Sequence, residues 1–242
     1  MRKKNKNYIK IYEGNDKNCK VDNLKQDKNY EFRICSVYNN LLGNWSETQN
    51  ITTKINFNSV ILSESNRQKE FILKLKEWTD NSKMELIYRG SRDVTLSANF
   101  HNKCDNQGPT ITLCKHENGY IFGGYCSVSW IKRQGYSSAP DSFLFTLTNM
   151  YNTEPTKFPL KNNDGSNGIW DSSYHCSIFG AGHDLYIQTD FVNQLSNTNF
   201  PYTYQDILGK GKSIFSGNTK NTEGNYSQFK LKEVEVFKII KN

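Results

Sequence analysis

Near the end of the chain, Phe229-Lys-Leu-Lys-Glu-Val-Glu-Val-Phe-Lys-Ile239 alternates apolar and charged residues for most of its length. Successive side chains of an extended backbone point to opposite faces, so this run reads as a long strand with one dry and one wet face, and it commits the chain to a sheet. Other runs repeat the signal. Thr110-Ile-Thr-Leu-Cys-Lys-His116, Tyr120 to Trp130, Phe143-Leu-Phe-Thr-Leu147 and Asp184-Leu-Tyr-Ile-Gln188 read as strands, and the turn residues Glu117-Asn-Gly119 join the first two as a hairpin.

Helical periodicity occupies less of the chain. From Ser65 to about Trp78, Phe71, Ile72, Leu75 and Trp78 recur at steps of three and four, and Ser65 with Gln68 fits a capping box. Met84 to Tyr88 reverts to a strand. Asp93 to Cys104 suits a short helix with Asp93 as its cap and Leu96 and Phe100 facing inward. Residues 190–225, rich in Asn, Gly, Ser and Lys, read as a long loop with a short ordered piece near Tyr202 to Leu208. The fold class expected is α+β and mostly β, an antiparallel sandwich with a few flanking helices.

The first part of the chain is a separate β region. Tyr8 to Tyr12, Cys19 to Leu24, Tyr30 to Tyr38 and Ile51 to Thr53 cluster β-formers between Gly, Asn and Asp turns. Leu24, Tyr30 six residues on, Phe32, Ile34, Tyr38-Asn39, Gly43, Trp45-Ser46 and the closing Ile-Thr-Thr resemble the second half of a fibronectin type III domain over about residues 8–54. In such a sandwich Tyr30 would make the tyrosine corner. The opening strands and core Trp of that family are missing, so the expected division is an incomplete β fragment at 1–56 and a second domain at 57–242.

Charge and cysteines bound the setting. The 242 residues carry a net charge of +7, but residues 1–56 hold 11 Lys/Arg against 6 Asp/Glu, leaving 20 against 18 for the rest. The basic excess is local; it raises nucleic acid or an anionic membrane surface as partners, yet an ordinary solvated surface accounts for it. The basic start, Met1 to Lys10, is not followed by an apolar run, so the reading expects no signal peptide, no membrane span and six reduced cysteines in a cytoplasmic protein. The sequons at Asn44, Asn50 and Asn225 are then chance matches.

Candidate chemistry is sparse. His101-x-x-Cys104 and Cys114-x-His116 offer four soft ligands, but their spacing matches no zinc pattern, and a helix with a buried thiol is the plainer reading. Gly209-Lys-Gly-Lys-Ser213 lacks the Gly five residues earlier that a phosphate loop needs, because Asp206 stands there. Neither a cofactor nor a metal is expected.

The order of the remaining motifs is that of a known family. Leu86-Ile-Tyr-Arg-Gly-Ser-Arg-Asp93, Phe100-His-x-x-Cys-Asp105, Gly108 to Leu113, Ile121-Phe-Gly-Gly124 with Trp130, Ser142 to Leu147, Phe179-Gly-Ala-Gly-His-Asp-Leu185 and Phe229 through Phe237 together resemble a TLDc domain over about residues 62–240. The resemblance implies a β-sandwich with flanking helices and a non-enzymatic binding role. It also implies a link to oxidative stress resistance and a protein partner, the peripheral sector of the vacuolar proton ATPase. The implied location is the cytoplasm, peripheral to acidic organelles, for a monomer that binds no nucleic acid. Carried over by position, the family's motif residues are Gly123, Gly124, Gly180, Gly182, His183 and Asp184, and Arg89, Arg92, Asp93 and Glu235 complete the partner-binding candidates. Phe122, Trp130, Phe143, Phe145, Phe179 and Phe237 are expected in the core. The competing reading is a thiol-dependent oxidoreductase or peroxide scavenger using Cys104, which requires a stabilised thiolate.

Overall fold

A computed structural model describes residues 8–25, 28–53, 57–162, 165–219 and 226–241, and the chain divides into two compact units, Met1–Asn56 and Phe57–Asn242. Residues 1–7, which hold most of the basic start, and the Asn225 sequon lie outside the described residues.

The first unit contains β1 (Asn29–Phe32), β2 (Val37–Tyr38), β3 (Leu41–Leu42) and β4 (Gln49–Thr52). β1 pairs with β4, and β2 with β3, both antiparallel. The strands expected at Tyr8 to Tyr12 and Cys19 to Leu24 do not form, since β propensity makes a strand only where a ladder partner is in register. The expected Tyr30 to Tyr38 strand is broken after Phe32, because Ile34 leaves the ladder to exchange bonds with Ser46: its N–H donates to Ser46 Oγ at 3.0 Å and its carbonyl accepts from Ser46 N at 2.7 Å. Tyr30 OH accepts from Lys25 N at 2.8 Å.

The second unit runs α1 (Val60–Ser63), α2 (Gln68–Trp78), β5 (Lys83–Arg89), α3 (Gly90–Asp93), α4 (Ser97–Cys104), β6 (Thr110–His116), β7 (Ile121–Cys126), β8 (Gly135–Ser137), β9 (Phe143–Thr148), β10 (Thr156–Pro159), β11 (Ile169–Asp171), β12 (Ile178–Phe179), β13 (Leu185–Tyr186), β14 (Ser196–Thr198), α5 (Ser213–Ser216), β15 (Ser227–Phe229) and β16 (Leu231–Ile240). Two six-stranded antiparallel sheets result, β10-β9-β7-β6-β16-β5 and β15-β14-β13-β12-β11-β8. Their inner faces meet through Trp130 against Phe179 (5.8 Å between centroids), Phe122 against Phe229 (5.5 Å) and a Thr112–Ser177 hydroxyl contact of 2.9 Å. All six aromatics expected in the core are buried. On its other face the first sheet is covered by Trp78 at the end of α2, which packs on Phe143 and Phe145, and by Phe57 stacked on Phe237 at 4.8 Å.

This second covering overturns the reading of the last strand. β16 lies inside the sheet between β6 and β5, and two charges of its expected wet face are buried, Glu233 at 8% exposed and Glu235 at 0%, while Lys232 stays exposed. The alternation also changes phase, and a register shift between Leu231 and Glu233 against β6 is the cause. One extra residue in a strand turns every later side chain to the opposite face relative to a strict count. Val234 and Val236 thereby join Leu231 in the core between the sheets.

Three further expectations change. The capping box does not form: Ser65 Oγ accepts from Arg67 N at 3.1 Å, and Arg67 at the cap position pairs its guanidinium with Glu70. The helix expected over Asp93 to Cys104 is split into α3 and α4, because Val94 at φ +67° cannot continue a right-handed turn. Leu96 is consequently exposed at 53% while Phe100 is buried. The 190–225 region carries β14 and α5 rather than a bare loop; the stretch at Tyr202 to Leu208 is pinned by a bridge between Leu160 and Tyr204.

Candidate functional site

The Arg89-Gly-Ser-Arg-Asp93 turn and β16 assemble one buried polar network. Glu235 Oε1 accepts from Arg89 Nε at 2.7 Å and from Val60 N at 3.0 Å, and its other oxygen accepts from Ser59 Oγ at 2.5 Å. Ser59 in turn caps α1, accepting from Leu62 N at 3.0 Å. Glu233 Oε1 accepts from Ser91 N at 3.2 Å and Val234 N at 2.9 Å. Asp93 accepts from Arg89 N at 2.9 Å and from the Arg92 guanidinium, and that guanidinium holds the Asp93 carboxyl below the ordinary aspartate value. A Cβ on Gly90 would stand 2.3 Å from the Phe191 ring, so only glycine lets this turn pass. Of the four candidates gathered here, Arg89, Asp93 and Glu235 face inward; the Arg92 side chain is 43% exposed.

The Gly180-Ala-Gly-His-Asp184 motif is a second inward-facing device. Asp184 is fully buried, and its carboxylate accepts from Tyr202 N (2.7 Å), Thr203 N (2.9 Å) and Tyr204 N (3.2 Å). Burial pushes its carboxyl above the ordinary value while these N–H groups pull it down. Gly180 has φ +84°, and a Cβ there would meet Asp184 Oδ2 at 2.1 Å. The His183 ring stacks on Tyr186 at 5.7 Å and approaches Trp170 and Tyr226. The motif thus folds the 202–204 backbone onto the second sheet.

Gly123 and Gly124 serve the two faces of β7. A Cβ on Gly123 would overlap the Thr112 carbonyl of β6 at 1.8 Å, and one on Gly124 would meet three carbons of the Phe179 ring at 2.6 to 2.8 Å. These positions set how closely strand and sheet approach.

Cys104 is buried with Cys114, Cys126 and Cys176. Burial pushes the Cys104 thiol well above the ordinary value, with Cys176, Asp105 and Asp93 adding to the shift, the reverse of what a reactive thiolate needs. His101 turns its ring to Asp105 and to the Ser172 and His175 carbonyls, while His116 turns to the Ser216 carbonyl and the Asn118 amide. Among the described residues no three His, Cys, Asp or Glu are grouped to hold a metal ion. In the Gly209-Lys-Gly-Lys-Ser213 loop, Gly211 N donates to Asp206 Oδ2 at 2.6 Å, so an internal carboxylate takes an amide that a phosphate would need.

Sequence reasoning missed Ser59, Glu233, His175 and Tyr186. A signal existed for one: Glu233 falls where the alternation slips phase, a place where a bulge turns a charged residue inward.

Fold and contacts together define a helix-roofed antiparallel β-sandwich whose polar motif residues hold backbone in place. The chain belongs to the TLDc family: residues 55–240 match the TLDc domain. Over 44 residues it is also 41% identical to the MTOR-associated protein MEAK7 of Danio rerio, a match that takes in 18% of this chain and 10% of that protein. No helix of the described residues is long and apolar enough to cross a membrane.

Proposed function

We propose that this chain is a TLDc protein-interaction module that binds and regulates the vacuolar proton ATPase through its peripheral sector, in the cytoplasm at the surface of acidic organelles, with a consequence for oxidative stress resistance. The observation that carries the interaction role is the direction in which the motif residues face. Gly123, Gly124, Gly180, Asp184, Arg89, Asp93 and Glu235 all serve a rigid sandwich, while exposed aromatics Tyr136, Tyr174 and Tyr226 lie on or beside the second sheet. Tyrosines on a rigid frame are favoured contact residues at protein interfaces. The similar MEAK7 protein is named for an association with another protein, in keeping with a binding role. Burial of Cys104 opposes the thiol-enzyme reading. For the first unit we propose an incomplete fibronectin type III half preceding the TLDc domain, supported by the Tyr30–Lys25 contact, which has the form of a tyrosine corner.

The test is capture from cell lysate with the tagged full chain, under conditions that keep the pump assembled. Peripheral-sector subunits are expected in the eluate, and replacing Tyr136 and Tyr226 by serine should reduce them. Recovery of none by the unaltered chain would sink the proposal.

A further inference from the structure

His101 and His175 meet at the Ser172–Cys176 turn, which joins β11 to β12, and His183 stacks on the tyrosine that His175 contacts. From inside, His101 Nε2 lies 2.7 Å from the Ser172 carbonyl and 3.0 Å from the His175 carbonyl, and its Nδ1 lies 2.7 Å from Asp105 Oδ1. Carbonyl and carboxylate oxygens only accept, so both edges of the His101 ring face acceptors that tie it to the turn and to α4. From outside, His175 Nδ1 is 2.8 Å from the Tyr186 hydroxyl, and His183 stacks on the same tyrosine. His101 therefore fastens the turn from inside, the half-buried His175 ties it to Tyr186, and the half-buried His183 stacks on that tyrosine.

We propose that the Ser172–Cys176 turn is an acid-opened latch, closed while His175 and His183 are neutral and released when they take up protons beside His101. The charged and titratable groups around it are few. Asp105 and Lys132 (Nζ to Asp105 at 3.4 Å) face His101, Tyr186 faces His175, and Tyr186 and Tyr226 face His183. The adjoining Asp184 spends its carboxylate on the Tyr202–Tyr204 backbone, so no carboxylate in these contacts receives the two new charges.

Burial and the His101 charge hold His175 below the ordinary 6.5, and burial with the charge of His175 does the same to His183. A histidine whose value is lowered in the closed state binds fewer protons closed than open. The closed state is thus fully favoured above pH 6.5 and loses stability as pH falls below it. One unit below, the opening constant rises by up to about tenfold for each histidine. Opening frees the Tyr186 hydroxyl from His175 and loosens the row formed by Tyr136, Trp170, Ile178 and Tyr186 across the second sheet.

Amide hydrogen exchange of the full chain at about pH 7.5 and about pH 5.5, corrected for intrinsic rates, tests the latch in the range where histidine switches operate. Protection of residues 172–176 should fall at the lower pH, by up to about tenfold for each histidine, while β6 keeps its own. In His175→Gln/His183→Asn the glutamine can still contact the Tyr186 hydroxyl and the asparagine suits φ +57°, so the turn should stay closed at both pH values. An equal fall in the variant, or no fall in the unaltered chain, overturns the proposal. Should the variant not fold, ring-nitrogen NMR of the unaltered chain decides: His175 and His183 are expected to take up their second proton below the ordinary 6.5, and ordinary or raised values for both overturn the latch.

Discussion

Replacing Glu235 by alanine removes an acceptor on which three donors converge: Arg89 Nε, Val60 N and Ser59 Oγ. The glutamate is fully buried and the Arg89 side chain only 14% exposed, so water cannot readily replace the carboxylate. Losing one partner of such a pair costs about 3–5 kcal/mol, most of it from the charge and N–H groups left behind. For a domain of this size each kcal/mol lowers Tm by roughly 2–4 °C, giving a fall of roughly 6–20 °C. Glu235→Gln keeps an acceptor for Arg89 and Val60 and offers an N–H to Ser59, so it loses only the charge assistance, about 1–1.5 kcal/mol. Urea unfolding of both variants, read by tryptophan fluorescence, separates the two costs. A cost below about 1 kcal/mol for alanine, the range of an exposed ion pair, or equal costs for the two, would refute the burial of this network. Replacing Arg89 and Glu235 together by methionine should cost less than the sum of the single changes, as coupled partners do.

Two other outcomes follow from the core. Gly124→Ala drives a methyl into the Phe179 ring, whose nearest carbons stand at 2.6 to 2.8 Å, and should lower stability by about 1–3 kcal/mol in the same unfolding assay; Gly135→Ala, where nothing lies within 4 Å, should not share this overpacking cost. Among the six cysteines, Cys19 is exposed and Cys35 half-buried while the others are buried, so a neutral-pH thiol reagent should label two quickly and four only on unfolding. Fast labelling of Cys104 would restore the redox reading.

How much of this was legible varies by element. α2 was read from Phe71, Ile72 and Leu75, and the hairpin of β6 and β7 from its Asn-Gly turn, because both signals are local. The strands of the first unit were over-read, since a run of β-formers such as Tyr8 to Tyr12 becomes a strand only with a partner that no local pattern supplies. The candidate residues Arg89, Arg92, Asp93 and Glu235 were picked out one by one; their assembly into one network was not legible. Leu96 was placed inside by a helical count that Val94 interrupts with its positive φ.

The amino-acid order alone settled the β-rich class, the core aromatics and the family, because periodicity and motif order survive in one dimension. Only the tertiary structure decided which way the charges of the last strand face. Glu235 reads as solvated in the alternating run that first defined this chain, yet its partners are Arg89, 146 residues away, and Ser59, 176 residues away. A hydropathy pattern reports how polar a face is. Whether that face meets water or a second layer carrying the matching donors depends on contacts between distant segments, and these exist only once the chain has folded.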